Sequence, residues 1–122
     1  MKSIEHDEQV YLMQWWSMAC KQFGISEHLL FAIPNGGQRN VIVAAKLKAE
    51  GVRAGVPDLF LAVARHGFHG LFIEMKKPKG GIVSDKQDVM LNDLNDQHYH
   101  AVVAHGWIQA KTSIESYLGG DE

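Results

Sequence analysis

The chain has 122 residues, 46% apolar and 21% charged, with a net charge of -2. At ~100–200 residues per domain this is one domain, and at this size it buries roughly two-thirds of its unfolded surface without metals or disulfides. Its one cysteine, Cys20, excludes an intramolecular disulfide and a zinc cage of several thiolates. No stretch approaches the ~18 apolar residues of a membrane span, and Met1–Asp7 is too polar for a signal peptide. The expectation is a soluble domain of a reducing, cytoplasmic compartment.

A first helix is predicted over residues 5–23, where Leu12, Trp15, Trp16, Ala19 and Phe23 recur at helical spacing, Ser3 can cap the start and Gly24 stops it. The Trp15-Trp16 pair reads as core and subunit interface rather than a base-stacking platform. Leu29–Ile33 reads as a strand or partial strand, cut off by Pro34-Asn35-Gly36-Gly37. Asn40–Glu50 is a helix between an Asn cap and Gly51. Leu59–Val63 and Leu71–Met75 form a hairpin through the glycine-containing segment 65–70. Ser84-Asp85-Lys86-Gln87 is a capping box opening a helix to about Gln97. A strand over Tyr99–Ala104 and a helix over Ile108–Leu118 complete the order αβαββαβα. This pattern implies an α/β domain over 1–118, a mixed sheet with helices on its faces, and a short tail over 119–122.

Charge is unevenly spread along the chain. Residues 1–38 carry -2, residues 39–86 carry +5, and residues 87–122 carry -5. Such a gradient suits a polyanion-binding face on an otherwise acidic molecule, although surface charges also cluster by chance.

The chemistry concentrates in Gly55-Val56-Pro57-Asp58 and Glu74-Met75-Lys76. Residues two apart on a strand share a face, so Glu74 and Lys76 point together. Folding the hairpin about Gly67 sets Asp58 opposite Lys76 and diagonal to Glu74. Phe60, Ala62 and Phe72 then stand beside them, with Leu59, Leu61, Ile73 and Met75 on the other face. Two carboxylates at a sheet end suit Mg²⁺, which takes one or two carboxylates, waters and substrate phosphate. A salt bridge from Lys76 to Asp58 or Glu74 explains the same spacing without catalysis. The seven histidines form no spaced ligand set with Cys20, and no P-loop is present for a nucleotide cofactor.

Pro57-Asp58 with Glu74-Met75-Lys76 resembles the core of the PD-(D/E)XK nuclease superfamily. More closely, the chain resembles its stand-alone VRR-NUC domains of phage and bacterial replication-repair nucleases. The likeness runs through Pro34–Arg39, Gly55–Leu59, Phe72–Lys76 and Ser84–Gln87 to the strand at Tyr99–Ala104, in the right order. It implies a restriction-endonuclease-like fold in which Asp58, Glu74 and the Met75 carbonyl bind Mg²⁺ or Mn²⁺ and Lys76 is the catalytic lysine. It also implies a first-helix glutamate: Glu5 and Glu8 could each serve, and Glu8 is preferred because it continues the apolar stripe by one turn. Gln87 matches the glutamine that follows the ExK strand, a role its capping-box position also permits.

Asn35 and Arg39, beside Gly36 and Gly37, would approach a phosphate, with Arg39 giving a forked contact. Lys77, Lys79 and Lys86 would neutralise further phosphates, and Pro78 with Gly80-Gly81 would leave that loop mobile or substrate-ordered. The implied activity is a DNA endonuclease acting by direct water attack. Its small surface and single site favour a homodimer on branched DNA such as a four-way junction. Two other readings are a non-catalytic DNA-binding scaffold and a monomeric flap or single-strand nuclease.

Overall fold

The elements follow from local signals that the computed structural model, describing residues 4–34 and 40–119, places in space. Helix α1 (Ile4–Ala19) runs on as a 3-10 turn over Cys20–Phe23 and stops at Gly24. There φ is +71°, and the N–H of Gly24 meets the Cys20 and Lys21 carbonyls. Strand β1 (Leu30–Ala32) follows. Helix α2 (Val41–Ala49) starts where Asn40 Oδ1 accepts the Val43 N–H at 2.8 Å. After β2 (Leu59–Leu61) and β3 (Leu71–Lys76), helix α3 (Asp85–Asp96) opens on Ser84 with both bonds of the capping box in place. Strand β4 (His100–His105) and helix α4 (Trp107–Gly119) close the described chain, giving the expected αβαββαβα order.

The sheet order is β1-β2-β3-β4. The first two pairings are antiparallel; β3 and β4, joined through α3, are parallel. Odd-numbered residues of β2 and β3 (Leu59, Leu61, Leu71, Ile73 and Met75) are at most 1% exposed. They pack with Leu12 and Trp16 of α1 and with Ala110, Ile114 and Tyr117 of α4 in one core cluster. Trp16 lies in that core, with its Nε1 donating to the Glu27 carbonyl at 2.8 Å. The even-numbered face carries Phe60 stacked on Phe72 at 4.3 Å, with Tyr99 edge-on to Phe72 at 5.3 Å.

The hairpin register differs from expectation by two positions. Leu59 pairs with Ile73 and Leu61 with Leu71, so continuing the ladder sets Asp58 across from Glu74 rather than Lys76. The turn is His66-Gly67, with φ of 54° and 84°, the pair of positive angles that two-residue hairpins favour. Beyond the Arg65–Phe68 bridge, residues 62–64 of one arm face only 69–70 of the other, adding one residue to the first arm. An even shift leaves every side chain on its expected face. Among the described residues, no helix is long and apolar enough to cross a membrane.

Candidate active site

Asp58 stands at the entry to β2, directly after the fully buried Pro57. Its carbonyl accepts the Ile33 N–H at 2.8 Å, tying it to the chain leaving β1. Its side-chain Oδ2 accepts the Met75 N–H at 2.7 Å. The paired residues of β2 end at Leu59, so this carboxylate supplies the acceptor that the next ladder residue would otherwise provide. Both the position and the rotamer of Asp58 are thereby fixed.

Glu74 is 3% exposed and Lys76 7%, the only buried charged side chains among the described residues. The Glu74 Oε2 accepts from Gln87 Nε2 at 3.0 Å and lies 3.8 Å from Lys76 Nζ. Its Oε1 is buried without a hydrogen-bond partner. Burial pushes the Glu74 carboxyl up to about 8, helped by the negative charge of Asp58. Lys76 pulls the other way, and Glu5 adds a further push upward. The charge of the acid at 58 therefore reaches the acid at 74.

Gln87 is held at both ends of its amide. Its Oε1 accepts the Ser84 N–H at 2.9 Å, which turns its Nε2 toward Glu74. The capping box thus also sets the rotamer of a site carboxylate. Two glycines that sequence reasoning did not single out as site residues hold this arrangement close. A Cβ on Gly55, where φ is +91°, would lie 2.6 Å from the Lys86 carbonyl oxygen, so the approach to Pro57-Asp58 packs backbone-to-backbone on the first turn of α3. A Cβ on Gly81 would lie 2.8 Å from the Cβ of Lys76. The signals available were a glycine three before the aspartate and a glycine pair after the ExK strand.

Glu8 turns one carboxylate oxygen to the start of α4. Its Oε1 accepts the Trp107 N–H at 2.8 Å, capping the start of α4, where an N-terminal dipole favours a carboxylate. Glu5, one turn earlier, is the first-helix acid whose charge reaches Glu74. Lys77, Lys79 and Lys86 are exposed. Asn35, Gly36, Gly37 and Arg39 lie outside the described residues.

Among the described residues no three His, Cys, Asp or Glu side chains form a metal-holding group. His66, His69, His98 and His100 stand around the turn and the opposite end of the sheet, where His100 stacks on Tyr117. The donor chemistry at Asp58 and Glu74 nevertheless fits a hard divalent ion. Such ions take one or two carboxylates rather than a closed cage. A buried carboxylate oxygen with no partner, beside a second carboxylate, is also relieved by a cation.

Comparisons with known proteins identify the family and the fold. The VRR-NUC domain model matches residues 1–107. A solved structure described as a VRR_NUC domain protein superposes with a TM-score of 0.82 at 30% identity, covering 98% of this chain and 91% of its own. Among curated proteins, none matches. The chain belongs to the VRR-NUC domain family, and that membership implies a DNA-binding nuclease of the PD-(D/E)XK type.

Proposed function

We propose that this protein is a Mg²⁺- or Mn²⁺-dependent endodeoxyribonuclease that cuts branched DNA, such as a four-way junction, as a homodimer. The single observation that carries the catalytic part is the buried Glu74, one of its oxygens unpartnered, beside the half-buried Asp58 and the ammonium of Lys76. Asp58, Glu74 and the Met75 carbonyl would hold the ion, and Glu5 rather than Glu8 would add the first-helix charge. When bound, the ion supplies Lewis-acid polarisation of the phosphodiester and acidifies water for the attack.

The side chains divide the remaining work. Asp58, fixed by the Met75 N–H, keeps its place when the charge of Glu74 changes. Gln87 holds Glu74 in one rotamer and can only donate to it, because its own oxygen is taken by Ser84. Lys76 orients the attacking water and stabilises the negative charge that grows on the phosphate oxygens. Lys77, Lys79, Lys86 and Arg39 neutralise backbone phosphates on either side, and Asn35 donates a hydrogen bond to one. A two-fold pair of such sites matches the symmetry of a four-way junction and cuts two of its four strands, one at each site.

The test is a panel of four-way junction, flap and linear duplex incubated with Mg²⁺, Mn²⁺ or EDTA. Metal-dependent cleavage strongest on the junction is expected, with losses of about 10³-fold or more in Asp58→Ala and Lys76→Ala. Binding without cleavage in every metal would make the protein a scaffold. Preferential cutting of flaps by a species that light scattering shows to be monomeric would replace the junction reading.

A further inference from the structure

Helix α2 has no buried residue, yet it walls a groove of about 640 Å³ against the first turn of α3. The groove is built from two chemistries. Leu47, Val52 and Met90, each half-buried, form an apolar floor, and the exposed Lys48, Arg53 and Lys86 stand around it. Gln87, whose amide touches Glu74, also lines it, so the groove and the candidate active site share one side chain. Gly55 lines it as well; its missing side chain is what lets the floor lie flat against α3.

We infer that this groove is a subsite for one unpaired nucleotide, with its base on Leu47, Val52 and Met90 and its flanking phosphates on Lys48, Arg53 and Lys86. The inference deepens the branched-DNA proposal and rests on it. The volume falls among sites that hold small ligands, about 300–1,000 Å³. A nucleotide is the ligand that joins a flat apolar face to an anionic edge, as this lining requires. Within a duplex the base faces are covered by their neighbours, so only a base freed at a branch, bulge or flap can enter. A methionine on the floor also suits an aromatic ring, since thioether sulfur is attracted to ring edges. A second copy of the chain is a poor occupant, because two such rims would bring like charges together.

The experiment uses the full chain and three probes: a duplex with one unpaired adenine, the same duplex with an abasic site in the bulge, and a fully paired duplex. Binding is read by anisotropy in Ca²⁺, and cleavage of supercoiled plasmid is read separately in Mg²⁺. The adenine bulge is expected to bind about tenfold tighter than the abasic bulge. Met90→Ala, which adds no charge beside Lys86, should cut that ratio several-fold while leaving affinity for the paired duplex and plasmid cleavage unchanged. Equal binding of the two bulges by the unaltered protein overturns the subsite, and this comparison needs no variant to fold. Loss of the ratio together with dissociation of a dimer in Met90→Ala overturns it too, by making the groove a subunit contact. A bulge preference without cleavage in any metal would remove the nuclease reading and leave the nucleotide groove standing; cleavage without a bulge preference does the reverse.

Discussion

The two faces of the β2–β3 hairpin are equally built from strand residues two apart, but they use burial in opposite ways. The odd face is sealed by α1 and α4 and holds only apolar side chains. There, removal from water stabilises the fold at roughly 25 cal/mol per Å². The even face begins with stacked aromatics and ends with Asp58, Glu74 and Lys76. There the same removal from water raises the energy of charge, pushing the Glu74 carboxyl up to about 8 and leaving Oε1 unpaired. One face lowers the free energy of the folded chain by itself. The other carries a cost that a bound cation would relieve.

The contrast is broken most severely on the odd face. Ile73→Ala, in the centre of β3 and fully buried, should cost about 2–5 kcal/mol, read as a large drop in the thermal midpoint by circular dichroism. A small drop would mean that the core collapses around the gap.

On the even face the effect is pH-dependent, and its sign is opposite to that of an ordinary ion-paired acid. The folded pKa of Glu74, about 8, lies above the ordinary 4.5. Between those values the folded state holds a proton that the unfolded chain has released. Its stabilising contribution is therefore complete below about pH 4.5 and is lost as pH rises toward 8. Metal-free protein should melt progressively lower across this window, and Glu74→Gln should flatten the slope. Mg²⁺ should raise the midpoint most at the alkaline end. A slope that persists in Glu74→Gln would assign it to another group. Asp58→Asn, which keeps an acceptor for the Met75 N–H but removes the like charge, should lower the Glu74 pKa and shorten the window.

The smallest change sharpens the comparison without touching a charged residue. Gly81→Ala places a methyl group 2.8 Å from the Lys76 Cβ, so the lysine must shift. Since a misplacement of about 1 Å can cost up to ~10²-fold, kcat should fall by up to that factor with KM for DNA unchanged. Equal loss in KM would indicate that the whole loop had moved.

Where the fold was legible in the sequence, the determinants were local. Asn40 and Ser84 cap their helices through N–H groups three residues ahead, so each cap is written within a few positions. The face of every residue in β2 and β3 follows from the two-residue period of a strand and survived a register shift of two. The register itself was not legible, because a positive φ at His66 and one extra residue between Leu61 and Arg65 decide it. The choice between Glu5 and Glu8 was likewise hidden. Both sit on the same helix, but the Trp107 N–H that takes Glu8 is 99 positions away in sequence.

The sequence by itself determined which side chains can carry charge chemistry, the order of the elements and the strand faces, since these depend on residue type and nearest neighbours. Only the tertiary structure decided that Asp58 meets Glu74, that Gln87 and Gly81 hold the pair and its lysine in place, and that Glu8 caps α4. Those contacts join segments distant along the chain, and their energies exist only once the sheet and its helices exclude water together.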